Sequence, residues 1–437
     1  MVSDVDAGAP LTSVDDWLSW QQTRNRMGIV LGLERVAEVW ARLAPEPFAC
    51  PVVTVGGTNG KGSCVALLEA VYRAAGYRTG AYTSPHLLRY NERIRIDGAE
   101  IGDAALCAAF ARVDAARGDT PLTYFEFGTL AALDLFARAQ LDVVVLEVGL
   151  GGRLDAVNLI DADLALVTTI GLDHTAWLGE DRERIAVEKA GIFRPGRPAI
   201  IGEQAPPATL RAQAERLGCQ VYQLGREYGW LAEGDASGWS WRGPDGRQYA
   251  LPSPLLRGRV QYDNAAAVVM ALRCGEARLP VPVNAIRQGL QRVQLPGRFQ
   301  VLPGSPTWIL DVAHNGEAAD ALAANLRAWR GGGQLHAVMA VLADKAPQAI
   351  AAPLVGLIDR WHLTQTSDPR AMPVAQLAAQ LAGLESSMSL RTYARVEEAL
   401  AGAAGEAAAE DAILVLGTFT AVEAALRRIG GRSRTSI

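Results

Sequence analysis

Two runs in the first half of the chain, LDVVVLEVG at 141–149 and DLALVTTIG at 163–171, are apolar at almost every position. A strand with one wet face alternates apolar and polar residues, whereas a strand covered on both faces does not. These runs therefore predict central strands of a parallel sheet clad in helices. PVVTVG (51–56) and RTGAYTS (78–84) add shorter strands, and SCVALLEAVYRAAG (63–76) and GTLAALDLFARAQ (128–140) have the spacing of covering helices. The alternation predicts a doubly wound α/β unit. It resumes after residue 306 with TWILDVAH, a helix over about 316–330, LHAVMAVLA, RWHLTQT and AILVLGTF. GWSWRGPDGRQY, inside the 225–255 segment, predicts a small hairpin, and the Ala-rich stretches at 345–355 and 400–409 read as helices. The Pro- and Gly-dense PGRFQVLPGSP (296–306) predicts a boundary. A chain of 437 residues exceeds one ordinary core. The expected architecture is an α/β domain built on a parallel sheet over 1–295, followed by a smaller Rossmann-like α/β domain over 296–437.

The stretch VTVGGTNGKGSCVALL (52–67) sits where such a fold binds ligands. It departs from the usual phosphate loop, G-x-x-x-x-G-K-[ST], because Gly62 follows Lys61 and the hydroxyl arrives one residue late, at Ser63. A glycine-rich turn between strand and helix still aims backbone N–H groups and the positive end of a helix dipole at one spot. The bland alternative is a tight turn bearing a solvated lysine. Other strand ends supply an independent check, since ligands of open parallel sheets lie beyond the carboxyl ends of the strands. Those ends deliver Thr83-Ser84, Glu147 and Asp173-His174. Glu147 is the natural Mg²⁺ ligand of the set, with Ser84 and His174 as further candidates, because Mg²⁺ takes few protein ligands and keeps waters.

The remaining bulk properties exclude more than they assign. With 42 Lys+Arg against 47 Asp+Glu, a net charge of -5 argues against nucleic acid as a partner. No apolar run is long enough to span a bilayer, and the opening MVSDVDAGAPL lacks the layout of a signal peptide. The five cysteines are scattered without C-x-x-C, as expected of free thiols in the cytoplasm. His336 and His362, in apolar strand-like runs, read as structural; Trp239 and Trp241 read as hairpin packing.

Nine motifs occur in order: GGTNGKGS, TSPHL leading to NERIRI, TYFEFGTL, LEVGLGGRLDAVN, LDHTAWLG, EKAGIFRPG, YDNAAAV, PGRFQ and LDVAHN. From about residue 30 onward the chain resembles the bacterial bifunctional dihydrofolate synthase/folylpolyglutamate synthases, a branch of the Mur ligase superfamily, in which the late serine is the ordinary form of the loop. The resemblance implies an ATP-dependent ligase that joins L-glutamate to dihydropteroate and to the glutamate tail of reduced folates through an acyl phosphate, releasing ADP and phosphate. It implies that Thr58, Asn59, Gly60 and Lys61 cradle the ATP phosphates and that Asn264, Arg298 and Asp311 grip the nucleotide. Ser84 and Glu147 would hold one Mg²⁺ and His174 a second. Lys189 in EKAG would be carbamylated, and Lys61, His174 and Lys189 would be the catalytic set. The pteroate or folate pocket would include Leu31, Gly32, Thr123, Tyr124, Phe125, Glu126, Leu154, Asp155 and Ala156. Small-molecule substrates, no nucleic acid, no membrane, a cytoplasmic location and a monomeric state follow from the same likeness. The chain departs from the pattern at Val30, where relatives often carry an acid, and at Gly316, where they usually carry proline.

Because an acyl phosphate hydrolyses readily, the two domains are expected to close over the substrates, with 296–298 as hinge. Two rival readings remain at this level. A cell-wall Mur ligase usually has threonine directly after the loop lysine and lacks the TSPHL-to-NERIRI run. A non-catalytic ATP-gated binder would have lost one of Lys61, Glu147, His174 or Lys189, and all four are present.

Overall fold

The computed structural model describes residues 11–24, 28–43, 48–232, 238–329, 331–384 and 389–433. Most of the opening acidic segment lies outside the described residues. The apolar runs form the middle of an eight-stranded sheet in the order Ala99–Glu100, Ile94–Ile96, Thr79–Tyr82, Val143–Glu147, Val52–Gly56, Leu164–Val167, Pro198–Ile201 and Gln220–Gln223. From Thr79–Tyr82 to Gln220–Gln223 the neighbours are parallel; the first two strands are antiparallel additions at the edge.

The continuous hydrophobicity of these strands is explained by two cores. Val144 and Leu146 face one apolar cluster, together with Val52, Ala165 and Val167 and the helices Asp103–Arg117 and Tyr124–Arg138. Val143 and Val145 face the other, with Val53, Val55, Leu164 and Leu166 and the helices Lys61–Ala74 and Val260–Cys274. Successive side chains alternate between faces, so a strand between two helix layers must be apolar throughout.

The 225–255 segment forms three antiparallel strands rather than a two-stranded hairpin: Gly229–Ala232, Gly238–Arg242 and Gln248–Pro252. The tryptophans fix this small sheet to the second core. Trp241 is buried and donates through Nε1 to the Ala266 carbonyl at 3.1 Å, and buried Trp239 donates to the Pro252 carbonyl at 2.9 Å.

After residue 299 a six-stranded sheet follows the order Gln300–Leu302, Thr307–Leu310, Ala412–Leu416, Leu335–Met339, Arg360–Leu363 and Leu390–Thr392. Only the first strand is antiparallel. The second sheet also has apolar clusters on both faces. His336 and His362 lie on its neighbouring central strands, buried, with rings stacked at 5.5 Å and Nδ1 to Nε2 at 3.2 Å.

Candidate active site

The carboxyl ends of the two sheets face a shared cavity of about 880 Å³. Thr58, Asn59, Gly60, Lys61, Ser84, Glu147, His174, Lys189, Asn264, Arg298 and Asp311 all line it. Residues up to 253 positions apart in sequence (58 and 311) are thus brought together by the strand-end geometry that the apolar runs predict.

The loop is built around two glycines. Gly57 has φ +138, and a Cβ there would lie 1.9 Å from Thr168 Oγ1. Gly60 has φ +89, and a Cβ there would lie 2.6 Å from Asn264 Oδ1. Thr58 and Asn59 are pinned to the next strand end: the Thr58 amide donates to the Thr169 carbonyl at 2.7 Å, and the Asn59 amide donates to Thr169 Oγ1 at 3.1 Å. The helix Lys61–Ala74 starts after Gly60 without any side-chain cap. An uncapped helix start leaves its first N–H groups to an external acceptor, and a phosphate is the natural one. The Lys61 ammonium donates to the Gly57 and Thr58 carbonyls at 3.1 and 3.0 Å, which holds it over the loop.

Glu147 ends its strand buried, and its Oε2 accepts the Ser84 amide at 3.1 Å. Burial pushes its carboxyl above the ordinary carboxylate range, against the opposing pull of Lys61, the Ser84 amide and Arg298. A buried carboxylate with Ser84 beside it offers the oxygen donors that suit Mg²⁺ or Mn²⁺, and the His174 imidazole on the same cavity adds a borderline nitrogen donor. His174 has left-handed backbone (φ 50), and burial lowers its imidazole to about 4, so it is neutral at physiological pH, as a metal ligand must be.

Lys189, on the helix Arg182–Ala190, is buried and donates to the Gly57 carbonyl at 2.9 Å. Burial, then the charge of Lys61, lower its ammonium to about 7. Asp311 accepts the Phe299 and Ala313 amides, both at 2.8 Å, and the Arg298 guanidinium stands 5.4 Å from the Phe419 ring.

The expected pteroate residues gather separately: none of them lines that cavity. The Gly32 amide reaches the Leu154 carbonyl at 3.4 Å, Arg35 pairs with Glu126 at 2.6 Å, and Phe125 lies against Gly149, which does line the cavity. The polar members already serve the backbone. Thr123 and Glu126 form a reciprocal capping box on the helix Tyr124–Arg138, with bonds of 3.2 and 2.7 Å. Asp155 accepts the Leu150 and Val157 amides at 2.8 and 3.0 Å, and Ala156 is buried. Leu31, Tyr124, Phe125 and Leu154 stay partly exposed. Val30 offers Arg35 its carbonyl at 3.2 Å, a contact indifferent to the missing acid, and Gly316 opens a helix capped by Asn315, where no ring is required.

Sequence reasoning missed the contacts that tie the two sheets together. Asp173 pairs with Lys345 and lies 3.4 Å from His314 Nε2. Although burial alone would raise it, His314, His174 and Lys345 hold the Asp173 carboxyl far below its ordinary value. Asn59 and Asn315 exchange amide hydrogen bonds at 3.3 and 3.0 Å. Applying the strand-end rule to the second sheet would have found Lys345, which follows the strand Leu335–Met339.

Known proteins show the same organisation. Residues 55–272 match the Mur ligase middle domain, and residues 297–419 match the Mur ligase glutamate ligase domain. The chain is 45% identical over 435 residues to the dihydrofolate synthase/folylpolyglutamate synthase of Escherichia coli, covering 98% of each chain. It is 34% identical to the protein of that name from Mycobacterium tuberculosis, covering 86% of this chain and 82% of the other. Its fold matches E. coli FolC in complex with DHPP and ADP at a TM-score of 0.90 and 43% identity, over 97% of this chain and all (100%) of that one. It also matches a bifunctional folylpolyglutamate synthase/dihydrofolate synthase with Mn, AMPPNP and L-glutamate bound, at a TM-score of 0.86 and 43% identity, over 96% and 98% of the two chains. The chain belongs to the Mur ligase family, in its dihydrofolate synthase/folylpolyglutamate synthase branch.

Proposed function

We propose that this chain is an ATP-dependent ligase that joins L-glutamate to dihydropteroate and to the glutamate tail of reduced folates, and that the cavity between its two sheets is where the acid is activated. The observation that carries this reading is the convergence on one cavity of an uncapped helix start, the buried Lys189, the partly buried Lys61 and a buried carboxylate beside a serine. A free carboxylate is a poor electrophile. In the proposed route an oxygen of the acceptor carboxylate attacks the γ-phosphorus of ATP, the bond to ADP breaks, and an acyl phosphate forms. The amine of glutamate then attacks the acyl carbon, loses its proton, and phosphate leaves.

This chemistry needs positioning and charge neutralisation above all. The N–H groups at the start of the helix Lys61–Ala74, with Thr58, Asn59, Gly60 and the Lys61 ammonium, hold the phosphates; Asn264, Arg298 and Asp311 hold the rest of the nucleotide. Glu147 and Ser84 would hold one Mg²⁺ and His174 a second; a bound divalent cation neutralises the triphosphate and lets an anionic acceptor approach it. Neutral Lys189 takes up CO₂ as a carbamate, an added anion at the metal site. Leu31, Tyr124, Phe125 and Leu154 offer an apolar surface for the flat pteroate, backed by Gly32, Thr123, Glu126, Asp155 and Ala156. We place the division between the two units at 295/296.

No helix among the described residues is long and apolar enough to cross a membrane; we assign the chain to the cytoplasm as a monomer. The deciding experiment incubates the protein with ATP, Mg²⁺, bicarbonate and glutamate, plus dihydropteroate or tetrahydrofolate, and reads products by mass. Both acceptors gain one glutamyl unit with stoichiometric ADP and phosphate. A protein that binds ATP without turning over either acceptor is instead a nucleotide-gated binder.

A further inference from the structure

Arg93 ends the short turn Tyr90–Arg93 and is only 8% exposed. Its guanidinium carbon stands 4.9 Å from the Tyr90 ring and 5.7 Å from the Tyr124 ring, and its Nε donates to His86 Nδ1 at 2.9 Å. Among the described residues it has no ion pair, and neither of its Nη nitrogens has a hydrogen-bond partner. Buried arginines are otherwise almost always paired; even the less buried Arg95, two residues on, bonds Glu69 at 2.8 Å.

The acids that might serve Arg93 are engaged elsewhere. Glu92 accepts the amides of Leu87, Leu88 and Arg89 at 2.8, 2.6 and 2.7 Å. Glu126 is bound by Arg35 and the Thr123 amide, and Asp155 by two loop amides. A second source of positive potential lies beside the guanidinium: Tyr124 is the first residue of the fifteen-residue helix Tyr124–Arg138, whose N-terminus carries partial positive charge. The cluster borders the active site, because His86 lines the cavity two residues after Ser84. A cation cannot accept a hydrogen bond, so His86 Nδ1 is the acceptor from Arg93, and the ring in its neutral form carries its proton on Nε2 as a further donor.

A guanidinium with its Nη edge unpartnered suits a planar carboxylate. Resting on the reading above, the two acceptors differ in just that group. Dihydropteroate carries one carboxylate, the one that reacts. A folate ending in glutamate reacts at its γ-carboxylate and carries a spectator α-carboxylate one residue's length away. We propose that Arg93, supported by His86, forms a carboxylate subsite that holds the α-carboxylate of the terminal glutamate on the folate acceptor. The subsite gives the enzyme a way to seat an acceptor that is one glutamyl unit longer than dihydropteroate.

The test compares KM for tetrahydrofolate and for dihydropteroate in the full-length enzyme. In Arg93→Gln the ratio of the two KM values rises about ten- to a hundredfold, the scale of losing a charge-assisted hydrogen bond, and Arg93→Lys recovers part of that rise. A substrate-side probe needs no variant: a reduced folate with γ-aminobutyrate in place of its glutamate lacks only the α-carboxylate. With wild-type enzyme its KM rises by a similar factor, and Arg93→Gln adds little further. Equal losses on both acceptors would mark Arg93 as structural or as a ligand of the reacting carboxylate, and overturn the proposal. So would a wild-type enzyme that uses the γ-aminobutyrate analogue as well as the natural folate. A wild-type protein that turns over neither natural acceptor would instead refute the ligase reading itself.

Discussion

Lys189 shows how a single side chain can be read two ways. In the sequence it is a helix lysine beside Glu188, ordinarily a surface ion pair. In the structure Glu188 pairs with Arg153 at 2.9 Å, while Lys189 turns inward to the Gly57 carbonyl. Its ammonium is lowered to about 7 by burial and by Lys61, so the neutral amine that CO₂ requires is the major form only above that pH. One unit below, about a tenth of the side chains remain neutral. The expected outcome is a kcat that falls steeply as pH drops below about 7 and is partly restored by raising bicarbonate, with Lys189→Arg inactive at every bicarbonate concentration. A profile indifferent to bicarbonate would count against carbamylation. Phosphate and metal candidates were legible at this scale because a strand end dictates where its next residues lie. Arg93 was not, since a basic residue in NERIRI reads as a solvated charge until its burial is seen.

At the scale of elements, the central strands were legible because burial on two faces leaves a compositional mark: Val143 through Leu146 alternate between two cores and are all apolar. Helix starts were placed less well. The expected helix at 128–140 begins four residues earlier, at Tyr124, because Thr123 and Glu126 cap one another there. In that box each side chain accepts from the other's backbone amide, which fixes both in place. The third strand of the small tryptophan-bearing sheet, Gly229–Ala232, went unread because GWLA carries little strand signal apart from its partners. What holds it is register with Gly238–Arg242, including Trp230 opposite Trp241, which no local pattern reveals.

For the whole molecule, two sheets present their carboxyl ends to one space, and side chains already cross it: Asn59 to Asn315, and Asp173 to Lys345 and His314. Because Asp173 precedes His174, the contact between sheets and the proposed metal site share one turn of chain. Closure about 296–298 therefore has a defined set of contacts to strengthen or release. Solution scattering is expected to show the mass of a single chain and a smaller radius of gyration with an ATP analogue and pteroate than without them. An unchanged radius would count against closure. In the second sheet the sequence singles out only Asp311, and that through the family resemblance, although Lys345 too follows the end of a strand there.

The central claim is that the uncapped start of the helix Lys61–Ala74 holds the triphosphate of ATP against the metal-bearing strand ends. A crystal structure of the protein with Mn²⁺ and a non-hydrolysable ATP analogue tests it most directly. The account predicts phosphate oxygens in hydrogen-bond contact with the amides and side chain at Lys61, and metal density at Ser84 and Glu147 and at His174. A triphosphate bound away from Lys61, or metal density absent from Glu147, would contradict it.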